Sequence, residues 1–142
     1  MVNNKILFEF LSLSTNESLA RNVAGLFALQ LNPSLSEISD IKTAVSEAVT
    51  NCIVHGYQNA IGSIQMECSI ENDVIHINVY DQGVGIADVD KALEPFFSTK
   101  EEEERSGMGF TIMKSFMDNV VVKSAPKQGT RVYMSKKIKV DV

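Results

Sequence analysis

A chain of 142 residues, 44% hydrophobic and 22% charged, has the length and composition of one globular domain, and a single unit over residues 1–142 is expected. No stretch is apolar enough to span a bilayer and the N-terminus does not read as a signal peptide, so no membrane partner is expected and the expected address is the cytoplasm. A formal net charge of −5 with no basic stripe argues against a direct nucleic-acid partner, because neutralising phosphates takes clustered cations.

Residues 5–13 place Ile6, Phe8 and Phe10 on one face and Leu7 and Leu11 on the other, the pattern of a strand with two faces to cover. Ser14 with Glu17 is a capping-box pattern opening a helix to about Gln30, which Asn32, Pro33 and Ser34 break. Ser34 with Glu37 repeats the pattern. It opens a longer helix in which Ile38, Ile41, Val45, Ala48 and Cys52 recur at helical spacing, ending near Gly56. Alternation through Ile64, Met66, Cys68 and Ile70, then Ile75, Ile77 and Val79, with Asn72 and Asp73 between, predicts a hairpin. Residues 81–109 are irregular and rich in Gly, Pro and charge, as a functional loop would be. Phe110, Met113, Phe116 and Met117 give a short amphipathic helix, and strands at 120–124 and 130–137, joined by a turn at Lys127–Gly129, close the chain. The fold class is α+β: a two-layer sandwich whose mixed, mostly antiparallel sheet is covered by helices on one face.

Glu47 and Asn51, four residues apart, share a helix face, and His55 extends the row. A carboxylate beside a carboxamide oxygen suits a general base and a hard-cation ligand, although the pair alone fits a solvated helix face as well. Asp81 continues the parity of Ile75, Ile77 and Val79, so it points inward and needs a donor. The exocyclic amine of adenine would satisfy it, and Gly83 and Gly85 offer a backbone that a flat ligand can approach; the alternative is an ordinary Asp-initiated turn. Gly107 and Gly109 precede the Phe110 helix, where free N–H groups and the helix dipole form an anion site fit for a triphosphate. Lys100 and Arg105 are cations available to a γ-phosphate, or simply solubilising charge. Gly129-Thr130 puts a hydroxyl at a strand start, where it can reinforce the nucleobase site. Cys52 and Cys68 read as small core hydrophobes, with a disulfide improbable in a reducing compartment. His55 lacks partners at zinc spacing, and His76 falls on the outward strand face.

In order and spacing these segments resemble one superfamily, that of gyrase, histidine kinases, heat-shock chaperone ATPases and mismatch-repair ATPases. Glu47-Ala48-Val49-Thr50-Asn51 is similar to its N box, Asp81-Gln82-Gly83-Val84-Gly85 to its first glycine box, Pro95-Phe96-Phe97 to its aromatic segment and Gly107-Met108-Gly109 to its second glycine box. Residues 45–51 with His55-Gly56-Tyr57, and residues 104–113, resemble most closely the sporulation anti-sigma serine kinases, over nearly the whole chain. The resemblance implies a Bergerat-type ATP-binding fold, Mg2+ and ATP as cofactors, and a homodimer. It further implies that the protein silences a sigma factor and phosphorylates a serine on an anti-anti-sigma protein. It makes Glu47 the base, Asn51 the Mg2+ ligand, Asp81 the adenine contact, Arg105 a lid arginine near the γ-phosphate, and Arg21 a contact for protein partners. Cys52 departs from the family's common Ala and would sense oxidation if exposed, and the loop at 59–63 is shorter than in some relatives. Three other readings stay open: a general stress-response anti-sigma kinase, an ATP-gated binding module without phosphotransfer, and the ATP-binding part of a histidine kinase. The last lacks room for a phospho-acceptor helix pair.

Overall fold

A computed structural model describes residues 3–58, 60–93 and 109–139. Five strands, β1 (Asn4–Leu11), β2 (Ser63–Glu71), β3 (Val74–Asp81), β4 (Asn119–Ser124) and β5 (Thr130–Lys137), form one sheet in the order β1-β2-β3-β5-β4. Every pairing among them is antiparallel, so the described sheet is antiparallel throughout rather than mixed. The β2–β3 hairpin turns on Asn72 and Asp73 with φ of 48° and 66°, left-handed values that Asn and Asp tolerate and that match the twist of the flanking strands.

Helices α1 (Ser14–Ala28), α2 (Leu35–Asn51) and α4 (Gly109–Phe116) cover one face, and a single-turn helix α3 (Val89–Ala92) interrupts the segment expected to be irregular. The strand parity explains the layer: Ile64, Met66, Cys68, Ile75, Ile77, Val79, Val132 and Met134 are fully buried beneath Ile41, Val45, Val49 and Met113 from the helices. Each such Ile, Val or Met side chain contributes roughly 1.5–3 kcal/mol on leaving water.

One of the two expected caps forms. Ser34 Oγ accepts the Glu37 N–H at 3.0 Å while Glu37 Oε1 accepts the Ser34 N–H at 2.9 Å, which fixes the start of α2. Ser14 instead lies inside the first turn of α1, Leu13 holds the N-cap position, and no side chain caps it. Strand β1 stands at the edge of the sheet rather than at its centre, and Leu7 and Leu11 are 62% and 52% exposed on the face without helices. His76 lies on that same face, its Nδ1 2.6 Å from the Tyr133 hydroxyl.

Candidate functional site

The end of α2 is shaped by a local departure from helix geometry. After Asn51 the backbone opens into a π turn, Cys52–Gly56, closed by Tyr57 N–H donating to the Cys52 carbonyl at 2.9 Å. Wider turns of this kind are frequent at functional sites. His55 lies within this wider turn rather than in the regular helix that carries Glu47 and Asn51. The turn carries Gly56 against the end of β3, where a Cβ on Gly56 would lie 2.9 Å from Asp81 Oδ2. The two segments are then stitched together: Val84 N–H donates to the Gly56 carbonyl at 2.9 Å, Gln82 N–H donates to the Tyr57 hydroxyl at 2.8 Å, and that hydroxyl donates to the Ser63 carbonyl.

Asp81 points inward as its strand parity predicts, and is 5% exposed. Its Oδ1 accepts the Gly83 N–H at 2.9 Å, while Oδ2 is buried with no hydrogen-bond partner. Burial pushes its pKa up, and the Gly83 N–H, the nearby Cys52 thiol and the Thr130 backbone offset part of that rise. An unpaired buried acceptor costs about 1–3 kcal/mol and persists where something outside the chain fulfils it. An exocyclic amine such as that of adenine fits this oxygen.

Two of the glycines are required by the chain itself. A Cβ on Gly83 would meet the Gly56 carbonyl oxygen at 2.1 Å, and one on Gly85, whose φ is +76°, would meet the Ala125 carbonyl oxygen at 1.9 Å. Their lack of a side chain is therefore required by backbone packed on backbone. Gly109 differs: its nearest neighbour is Glu47 Oε1, 3.5 Å from where a Cβ would stand. The first residue of α4 thus lies near the α2 carboxylate, at a helix start whose first N–H groups have no partner within the helix.

The structure brings together Glu47 with Gly109, and Asp81 with Gly83 and Thr130, Thr130 being the register partner of Asp81 on β5. Asn51 closes α2 one turn beyond Glu47. Arg21 stands apart on α1, bonded to Glu17 Oε2 at 2.9 Å, and lines an open cleft of about 480 Å³ with Leu35, Ile38, Lys42, Thr43 and Ser46. Lys100, Arg105, Gly107 and the aromatic segment at 95–97 lie outside the described residues. Cys52 is 1% exposed, its thiol pKa pushed well up by burial and by Asp81, so the exposure needed for an oxidation sensor is missing. Sequence reasoning missed Tyr57 and Ser124. Tyr57 was visible only as a residue after Gly56, and nothing in the pattern marks Ser124, a strand-end serine that bonds to Ile86, Gly129 and Thr130.

Residues 12–136 match the model of the histidine kinase-like ATPase domain, the class that this fold and site define. Among curated relatives, the anti-sigma F factor of Thermoanaerobacter sp. (strain X514) is 56% identical over 135 residues, covering 95% of this chain and 94% of that protein. That of Clostridium acetobutylicum is 49% identical over 137 residues, covering 96% of each. The chain belongs to the anti-sigma F factor family of histidine kinase-like ATPase domains. Two solved structures share the fold. The RsbU and RsbW domains of Rv1364c from Mycobacterium tuberculosis superpose with a TM-score of 0.68 at 14% identity, over 95% of this chain and 32% of that one. The catalytic domain of histidine kinase ThkA gives 0.59 at 16% identity, over 94% and 96%.

Proposed function

We propose that this protein is a cytoplasmic anti-sigma factor that binds and silences a sporulation sigma factor, and that uses Mg-ATP to phosphorylate a serine on its anti-anti-sigma antagonist. The anti-sigma role rests on relatives named anti-sigma F factors at 56% and 49% identity over nearly full length. The observation that carries the transfer reading is Glu47 Oε1 held against the first residue of α4, one helical turn from Asn51.

When bound, ATP with Mg2+ supplies the phosphoryl group. Asp81 Oδ2 accepts from the amine edge of the base, and Thr130 reinforces that contact. Asn51 offers its carboxamide oxygen to the cation, a hard ligand for a hard ion. Gly107 and Gly109 present backbone N–H groups to phosphate oxygens, and Arg105 and Lys100 offset their charge. Glu47 orients the partner's serine hydroxyl and accepts its proton as the hydroxyl oxygen becomes the nucleophile. Arg21 contacts protein partners, consistent with its place in an open cleft that Lys42 and Ser46 also line. Exposed Leu7 and Leu11 on the uncovered sheet face support a homodimer.

The test is incubation of the purified chain with Mg-ATP and candidate anti-anti-sigma proteins, followed by mass-spectrometric mapping. A single phosphoserine on one partner is expected. Partner binding that responds to ATP without any phosphoserine would leave an ATP-gated binding module instead.

A further inference from the structure

The β2–β3 ladder runs as far as the pair Ile64–Asp81, so Ser63 and Gln82 come next on the two segments. The Tyr57 hydroxyl, which arrives from the π turn after α2, stands between them. It accepts the Gln82 N–H at 2.8 Å and donates to the Ser63 carbonyl. Those directions are forced, because an amide N–H only donates and a carbonyl only accepts. The two groups that would meet directly if the ladder continued are thus each bonded to one inserted oxygen. Strand β3 ends at Asp81, and the chain turns back so that the Gly83 N–H donates to Asp81 Oδ1 at 2.9 Å.

The ring that carries this hydroxyl is itself held in place. Gly62 packs on it so closely that a Cβ there would lie 2.2 Å from Tyr57 Cε1. Gly62 is fixed in turn by Ser12, which is 6% exposed: the Ser12 N–H donates to the Gly62 carbonyl at 2.9 Å, and Ser12 Oγ accepts the Gly62 N–H at 2.9 Å. We infer that Tyr57 is a positioning residue, whose hydroxyl stops the β2–β3 ladder at Asp81 and thereby lets Gln82-Gly83 fold back to orient that carboxylate. Without the hydroxyl, Gln82 N–H and the Ser63 carbonyl are free to pair directly, which lengthens the ladder by one step and draws Gly83 off Asp81. The consequence for a ligand rests on the reading of Asp81 as part of a nucleotide site.

The experiment uses Tyr57→Phe, which keeps the ring and removes only the hydroxyl. The ligand-free protein is followed through the NMR signal of the Gly83 amide, which reports the bond to Asp81, and ATP affinity is measured by calorimetry well below the melting temperature. The Gly83 signal is expected to shift, and ATP affinity to fall about tenfold, the effect of one lost hydrogen bond. Gly62→Ala, which forces the ring aside, is expected to produce both changes, and to lower affinity no further when added to Tyr57→Phe. Ser34→Ala, which weakens the fold at the far end of α2, is expected to leave the Gly83 signal and ATP affinity as in the native chain, so a loss of stability alone does not imitate the result. A native Gly83 signal in Tyr57→Phe overturns the inference, and so does native ATP affinity in that variant. If the native chain binds no ATP, it is the nucleotide reading that fails, while the Gly83 signal still decides whether Tyr57 orients Asp81.

Discussion

Replacing Asp81 by Asn keeps the shape of the side chain and removes its charge, which separates what the residue does for the fold from what it does for a ligand. The native carboxyl is 5% exposed and leaves Oδ2 without a partner. A buried unpaired polar atom costs about 1–3 kcal/mol and an ionised one more, so the neutral amide relieves on the order of 1 kcal/mol, or roughly 2–4 °C in melting temperature for a domain near this size. The pH dependence has a definite sign. Burial raises the folded-state pKa of Asp81 above its unfolded value, so the folded chain holds that proton more tightly, and native stability falls as pH rises through the raised pKa. The advantage of Asp81→Asn is therefore present at neutral pH and disappears in acid, below the ordinary carboxylate range. Nucleotide affinity moves the opposite way. With the amide oxygen kept on Gly83, its NH2 group faces the ligand amine; with the amide flipped, NH2 faces the Gly83 N–H. Either way two donors oppose each other. Calorimetric melting of the ligand-free proteins at neutral and acid pH, then with Mg-ATP, reads both effects. An Asn variant that melts below the native protein at neutral pH, or that keeps the full ATP-induced rise, refutes the reasoning.

Chemical denaturation distinguishes the two serines of the capping patterns: Ser34→Ala is expected to cost about 1 kcal/mol, and Ser14→Ala to stay within roughly 0.5 kcal/mol. Gly83→Ala drives a Cβ to within 2.1 Å of the Gly56 carbonyl oxygen, so it is expected to cost at least about 1–3 kcal/mol in the same assay and to weaken nucleotide binding by displacing Asp81. Cys52 and Cys68 are buried, and burial pushes the Cys68 thiol up to about 12. Both thiols are expected to resist a thiol-labelling reagent in the folded chain and to react on unfolding, which mass measurement of the labelled protein checks.

The parts of the fold that local chemistry dictates were legible in the sequence. Alternating apolar residues around Asn72-Asp73 specify a hairpin because both turn residues accept left-handed backbone, and the structure gives them φ of 48° and 66°. The inward parity of Asp81 follows from strand period alone, and Ser34 caps its helix as its spacing with Glu37 requires. What escaped depends on contacts between distant segments. Ser14 carries the same capping pattern as Ser34, yet α1 begins at Ser14 itself and Leu13 takes the cap position, with its carbonyl accepting the Asn16 N–H at 2.9 Å. The π turn after Asn51 has no sequence mark, because the helix period simply continues through Cys52. The pattern at Gly83 and Gly85 does not reveal that the carbonyl oxygens of Gly56 and Ala125 stand where a side chain would go. Ser124 meets Thr130 only through the strand register that sets the two side by side.

The central claim is that Glu47, held against Gly109, turns nucleotide binding into phosphoryl transfer. The direct measurement follows labelled γ-phosphate from Mg-ATP to the partner's serine, for the native chain and for Glu47→Ala, with ATP affinity determined on the same preparations. The expected result is transfer lost in Glu47→Ala while ATP affinity stays within a few-fold of native. Transfer at the native rate by Glu47→Ala would contradict the account.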